Sequence, residues 1–179
     1  MELKNYRLIL REPIQKDLSD LVEGLNNLDV SRNFGVVSYP YTKKKAIKYI
    51  DESFKEIEKE KRDNYKFAIE LKSERKLVGE IGINHIDYFN QGASLSYWIN
   101  KDYWNQGIAS ESLNLVINFA FNKLKLRRLY LFVYDSNKPS NSLARKLGFK
   151  LEGKLRQSHK SKATGEIFNS NCYGLLNSD

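Results

Sequence analysis

Between Trp98 and Ala109 the chain reads Trp98-Ile99-Asn100-Lys101-Asp102-Tyr103-Trp104-Asn105-Gln106-Gly107-Ile108-Ala109, directly ahead of an amphipathic helical stretch. A strand that stops, a short loop ending in small residues and a helix that starts at once leave several backbone N–H groups unpaired where the helix dipole adds positive potential. That combination binds an anion, and a phosphate-bearing ligand is expected. Two common phosphate sites are excluded: Gly107 is not followed by the Lys-Ser/Thr pair of a nucleotide-triphosphate loop, and no Gly-x-Gly-x-x-Gly follows a strand. Cys172 is the sole cysteine. It has no second thiol, His cluster or evident His partner, so disulfide, metal and thiol-nucleophile chemistry are not expected, and it reads as a small core residue.

The elements around this loop follow from periodicity. Tyr6 to Arg11 reads as a strand ended by Pro13, and Asp17 to Leu28 as a helix with Leu18, Leu21, Val22, Leu25 and Leu28 on one face. In Thr42 to Asp63, Ala46, Ile47, Ile50, Phe54 and Ile57 recur at helical spacing opposite a face of lysines and glutamates, with Thr42 as the cap. Tyr65 to Leu71 and Leu77 to Tyr88 form a hairpin around Lys72-Ser73-Glu74-Arg75, and Ala93 to Asn100 adds a third antiparallel strand. The helix Ser110 to Leu124 then crosses over to Arg127 to Tyr134, an unbroken apolar and aromatic run expected to be buried on both faces and parallel to its predecessor. Ser140 as N-cap, the short helix Asn141 to Leu147, Gly148 as its stop, and final strands Phe149 to Glu152 and Ile167 to Leu176 complete the pattern. The expected fold is α/β of the α+β kind, with a mixed central sheet, antiparallel at first and parallel at the switch to Arg127.

Composition bounds the function. The 179 residues contain no Pro/Gly/Ser-rich linker, so residues 1–179 are expected to form a single domain. No apolar run is long enough to span a membrane and the start lacks a signal peptide, so a cytoplasmic protein without membrane partners is expected. The net charge of +8 comes from dispersed lysines interleaved with glutamates. That pattern does not suggest dedicated nucleic-acid binding, but it would favour a phosphorylated cofactor or an acidic protein substrate.

The Trp104-Asn105-Gln106-Gly107-Ile108-Ala109 loop, the Asn137-Lys138-Pro139-Ser140 turn and Arg145-Lys146-Leu147-Gly148-Phe149, in this order among these elements, resemble the GNAT acyltransferase superfamily. Tyr97-Trp98-Ile99, Asp102-Tyr103-Trp104 and Leu151-Glu152-Gly153-Lys154-Leu155-Arg156 are similar to its RimJ/RimL-type branch of ribosomal-protein N-terminal acetyltransferases. The resemblance implies a GNAT fold with a splayed parallel strand pair, acetyl-CoA as co-substrate, no metal, and direct transfer to a primary amine. It places the pyrophosphate at Gln106, Gly107, Ile108, Ala109 and Ser110, the pantetheine arm along Trp98, Ile99 and Asn100, and Asn137 and Ser140 on the opposite side. In the same positions family members frequently carry Gln or Arg and Gly where this chain has Trp104 and Asn105, but the Gly107-Ile108-Ala109 end is kept. Spermidine acetyltransferases place a tyrosine acid where this chain has Ala144, which makes polyamine acetylation by that route less favoured.

The resemblance also marks candidates for proton transfer. Ser140 matches a serine suggested as the acid in the RimL-like branch, or it is only a helix cap. His159 falls where that branch has a carboxylate base, and imidazole titrates in the useful range, although a polar-loop histidine is commonly just exposed. Glu80 competes with it, because several GNAT enzymes use a glutamate on this strand through a water; His85, further along, could reach the cleft or be structural. Trp98, Trp104, Phe34 and Tyr39 could line an acceptor pocket or simply pack. The expected acceptor is a protein N-terminal α-amine, with a small-molecule amine (amino sugar, drug or polyamine) as the alternative and a non-catalytic CoA-binding sensor as the alternative of another class. The chain would act as a monomer or homodimer. Asp29 to Tyr41 and the turn Gln157 to Glu166 should shape the acceptor site, and neither carries a readable motif.

Overall fold

The computed structural model describes residues 1–179. Eight strands form one sheet in the order β1-β2-β3-β4-β5-β6-β8-β7. These are β1 (Glu2–Lys4), β2 (Leu8–Arg11), β3 (Tyr65–Leu71), β4 (Lys76–Asp87), β5 (Gly92–Ile99), β6 (Arg128–Tyr134), β7 (Lys150–Lys160) and β8 (Ile167–Leu176). Short connections make β1 to β5 antiparallel neighbours, as the hairpin turns require. Only the helical crossover from β5 to β6 yields a parallel pair.

The helices α1 (Leu18–Leu25), α2 (Leu28–Ser31) and α3 (Lys43–Ile57) cover one face of the sheet, while α4 (Ile108–Asn122) and α5 (Lys138–Lys146) lie on the other. Strand alternation explains the division. Ile81, Ile83, Leu95 and Ile99 point into the larger core beneath α4 with Leu113, Val116 and Ala120. Trp98 and Ala68 point the opposite way, into a smaller core with Leu21, Leu25, Ala46 and Ile50.

Several expectations shift. A first strand, β1, precedes the expected one, and Tyr6 stands exposed between the two. The expected helix Asp17 to Leu28 divides: a single 3-10 turn (Gln15–Asp17) leads into α1, and Asn27 breaks the helix by accepting a bond from the Asp29 N–H and capping α2. The helix expected to reach Asp63 ends at Ile57, and Thr42 occupies its cap position without a side-chain bond; the Glu56 carboxylate accepts from the Asp63 and Asn64 N–H groups and turns the chain instead. The β6 run is not buried on both faces throughout: Leu129, Leu131 and Val133 are core, whereas on the other face Phe132 is exposed and Tyr134, stacked on Phe168, is buried. Around Phe132 that half of the sheet lies open. The strand expected to stop at Glu152 continues to Lys160, because bulges let β7 keep pairing with β8. No helix is long and apolar enough to cross a membrane.

Candidate active site

β5 and β6 run parallel but pair only over Gly92–Ser94 and Arg128–Tyr130. Both strands continue for several residues past that point, so a gap opens between them, with backbone groups on its walls free for a ligand. At its mouth β5 leads through a 3-10 turn (Lys101–Tyr103) to α4.

Gly107 caps α4 in the left-handed conformation, at φ +80°, and a Cβ there would meet nothing closer than Glu111 Oε1 at 3.8 Å. The glycine is needed for its backbone angle rather than for space. The helix begins at Ile108, two residues before the expected Ser110, and its first main-chain bond runs from the Glu111 N–H to the Gly107 carbonyl. The N–H groups of Gly107, Ile108, Ala109 and Ser110 therefore have no acceptor in the protein and converge at the positive end of the dipole. Ile108 contributes only its N–H, since its side chain is core. Gln106 is exposed and donates to the Asp102 carbonyl. An ion pair that the sequence does not advertise braces the loop: Arg7 donates to Glu111 at 2.7 Å and to the Gln106 carbonyl at 3.2 Å, and Asn5 donates to the same carboxylate.

The end of β5 departs from the expectation in detail. Trp98 turns its indole away from the gap and donates to Glu80 at 3.3 Å, and the Trp104 indole takes the Ile99 carbonyl at 2.8 Å. Asn100 is buried and accepts from the Asp102 N–H, capping the 3-10 turn. The Asn100 N–H donates to the Val78 carbonyl and the Ile99 carbonyl is held by Trp104, so on this stretch only the other main-chain groups remain for a ligand.

Across the gap, α5 starts at Lys138, and the cap is Asn137 rather than Ser140. Its side-chain oxygen accepts from the Ser140 N–H, which sets Ser140 in the first turn with its hydroxyl free to pair elsewhere. The partner is Tyr97 of β5, at 2.6 Å. Behind them the buried Asn141 donates to the Tyr134 and Asn137 carbonyls and accepts from Asn171 and Tyr173, tying the turn to β8. Sequence reasoning missed Tyr97, Asn141 and Arg7 because each acts through a partner distant along the chain.

The two candidate bases lie apart. Glu80 is enclosed under Trp98 and beside Tyr49 and Lys66, and burial holds its carboxyl above the usual carboxylate range. His159, expected in a loop, sits on β7, where Nδ1 lies 2.9 Å from Ser170 Oγ and the ring is 6.0 Å from that of Tyr134. This leaves Nε2 free on the open half of the sheet, the face opposite Tyr97 and Ser140. His85 is exposed near the hairpin end of β4, away from the gap, and is not part of the site. Phe34 packs into the smaller core and Tyr39 is exposed. The two segments expected to shape the acceptor site touch: Lys162 N–H donates to the Gly35 carbonyl, Arg32 pairs with Glu166, and Gly35 lies against the buried Tyr134 hydroxyl.

A parallel pair splayed over a helix N-terminus is the arrangement of the GNAT fold. The acetyltransferase (GNAT) domain family matches residues 7–150, and the chain belongs to it. It is 30% identical over 174 residues, 97% of this chain and 96% of the relative, to the uncharacterized N-acetyltransferase YoaA of Bacillus subtilis. It is 35% identical over 85 residues, 48% of either chain, to a ribosomal-protein-serine acetyltransferase of Escherichia coli. A structure of spermidine N-acetyltransferase from Vibrio cholerae in complex with CoA and spermine superposes with a TM-score of 0.82 at 22% identity, covering 98% of that chain and 97% of this one. The protein is an N-acetyltransferase of this family.

Proposed function

We propose that the chain transfers the acetyl group of acetyl-CoA directly to the α-amine of a polypeptide, with Ser140 and His159 serving the proton chemistry. The observation that carries this reading is the gap between β5 and β6, which has free N–H groups at its mouth and Ser140 on its wall. In this reading Gly107, Ile108, Ala109 and Ser110 hold the pyrophosphate through their N–H groups, and the backbone from Trp98 to Asn100 and the Asn137 amide line the arm. Acetyl-CoA supplies a thioester carbonyl whose C–S bond breaks as the C–N bond forms. Ser140 donates a hydrogen bond to the departing sulfur, which needs little more help because a thiol with a pKa of ~8.5 is a fair leaving group. His159 takes the proton of the incoming amine at Nε2, with Ser170 holding the Nδ1–H tautomer. In this reading Ser140 acts from one face of the sheet and His159 from the other, with the reacting thioester held between them at the gap.

A polyamine is the weaker alternative. Polycations are recognised by free carboxylates, yet Asp29 and Glu166, the only acids of the two acceptor segments, are paired with Lys101 and Arg32. Lys160 and Lys162 are exposed beside them without ion-pair partners. A rim of this sign suits an amine on an acidic or neutral chain.

The test is thiol release from acetyl-CoA against N-terminal peptides, amino sugars and spermidine. Peptides with free α-amines should turn over and α-acetylated controls should not. Turnover of spermidine in preference to every peptide would overturn the acceptor assignment.

A further inference from the structure

Tyr97 lies three residues beyond the last paired residue of β5, where the strand has already parted from β6. Its ring packs against the larger core, and its hydroxyl meets Ser140 Oγ at 2.6 Å. This bond links the tip of β5 to the first turn of α5 across the opening. We infer that Tyr97 is a positioning residue: it donates its proton to Ser140 Oγ and so obliges the Ser140 hydroxyl to point its own proton into the gap. The inference rests on the proposed role of Ser140.

A hydroxyl pair can bond in either direction, and the chemistry chooses here. A phenol is far more acidic than an aliphatic alcohol and is the better donor, while the serine oxygen is the better acceptor. Burial holds the Tyr97 pKa up, with the Ser140 bond opposing, so the phenol stays protonated. Ser140 N–H is meanwhile bound to Asn137, which fixes the main chain from which the hydroxyl projects. With one lone pair of Oγ occupied by Tyr97, the serine proton is left to aim elsewhere. Both hydroxyls keep their protons over a cycle: Ser140 donates a hydrogen bond as the C–S electron pair settles on sulfur, and the proton surrendered by the amine reaches sulfur through solvent.

The experiment is a cycle of Tyr97→Phe, Ser140→Ala and the double variant, followed by kcat, KM for acetyl-CoA and calorimetric CoA affinity. Tyr97→Phe keeps the ring and its packing. It should lower kcat about 5-fold while KM and CoA affinity stay within about twofold, and in the Ser140→Ala background it should have no further effect. A second measurement needs no substrate. In the ligand-free enzyme labelled with ring-¹³C tyrosine, Ser140→Ala should move the Tyr97 Cζ resonance upfield at neutral pH, because the neutral phenol loses the acceptor to which it donates. Equal effects of Tyr97→Phe in both backgrounds, or an unmoved or downfield-shifted Tyr97 resonance, would overturn the positioning role while leaving that of Ser140 standing. Full activity of Ser140→Ala would overturn both.

Discussion

Glu80 is a carboxyl placed where a charge is costly. It is 8% exposed, its hydrogen-bond partner is the Trp98 indole, and burial pushes its pKa up. The folded protein therefore binds this proton more tightly than the unfolded chain does. Stability from the neutral form is complete below the ordinary carboxylate pKa and is lost as pH rises through the raised folded value. Glu80→Gln keeps an acceptor for Trp98 and removes the titration. The variant should match the wild type in Tm near pH 4 and exceed it by a margin that widens toward pH 8. Thermal melts across that range measure it, and a gap that is flat with pH would mean Glu80 ionises freely in the fold. Because Glu80 is sealed beneath Trp98 and His159 faces the open half-sheet, the same variant should retain most of its kcat.

The loop and α4 act as a unit, and Gly107 is their joint. Its backbone angle costs an L-residue ~1–2 kcal/mol, and a side chain there projects toward Glu111 and the free N–H groups. Gly107→Glu should weaken CoA binding at least ~100-fold in calorimetry, through strain and through a carboxylate set against a pyrophosphate. Gly107→Ala should incur the strain alone and lose about tenfold or less. Unaltered CoA affinity in Gly107→Glu would refute the placement of the cradle. This joint was legible in the sequence because its determinants are local: a glycine, small residues and a helix pattern within a dozen positions. The hairpin β3–β4, the crossover and α3 were legible for the same reason. What could not be read depends on partners far along the chain. Asn137 outcompetes Ser140 as cap because its side chain reaches the Ser140 N–H, although both residue types cap helices well. The extension of β7 to Lys160 depends on bulges that realign it with β8, and this carries His159 out of the expected loop into a strand. The Arg7 brace joins residues about a hundred positions apart.

The distribution of charge over the molecule bears on which amine arrives. The net charge of +8 is spread widely, but the acceptor rim concentrates its consequence. Its two acids are neutralised by Lys101 and Arg32, while Lys160 and Lys162 remain unpaired at the β7–β8 turn. Exposed charges of this kind govern encounter rather than chemistry, and salt screens them beyond ~10 Å at 0.1 M. A peptide with acidic residues just after its first position should therefore show a kcat/KM several-fold above that of a lysine-bearing peptide of equal length at low ionic strength. The ratio should fall toward one at about 0.5 M NaCl. Lys160→Glu with Lys162→Glu should lower or invert the low-salt ratio, mainly through the peptide KM, and leave kcat at saturating peptide nearly unchanged because neither lysine belongs to the gap. Thiol-release kinetics on the two peptides across a salt series measure this, and a preference for the acidic peptide that survives high salt would locate the discrimination in direct contacts inside the pocket instead of at its rim.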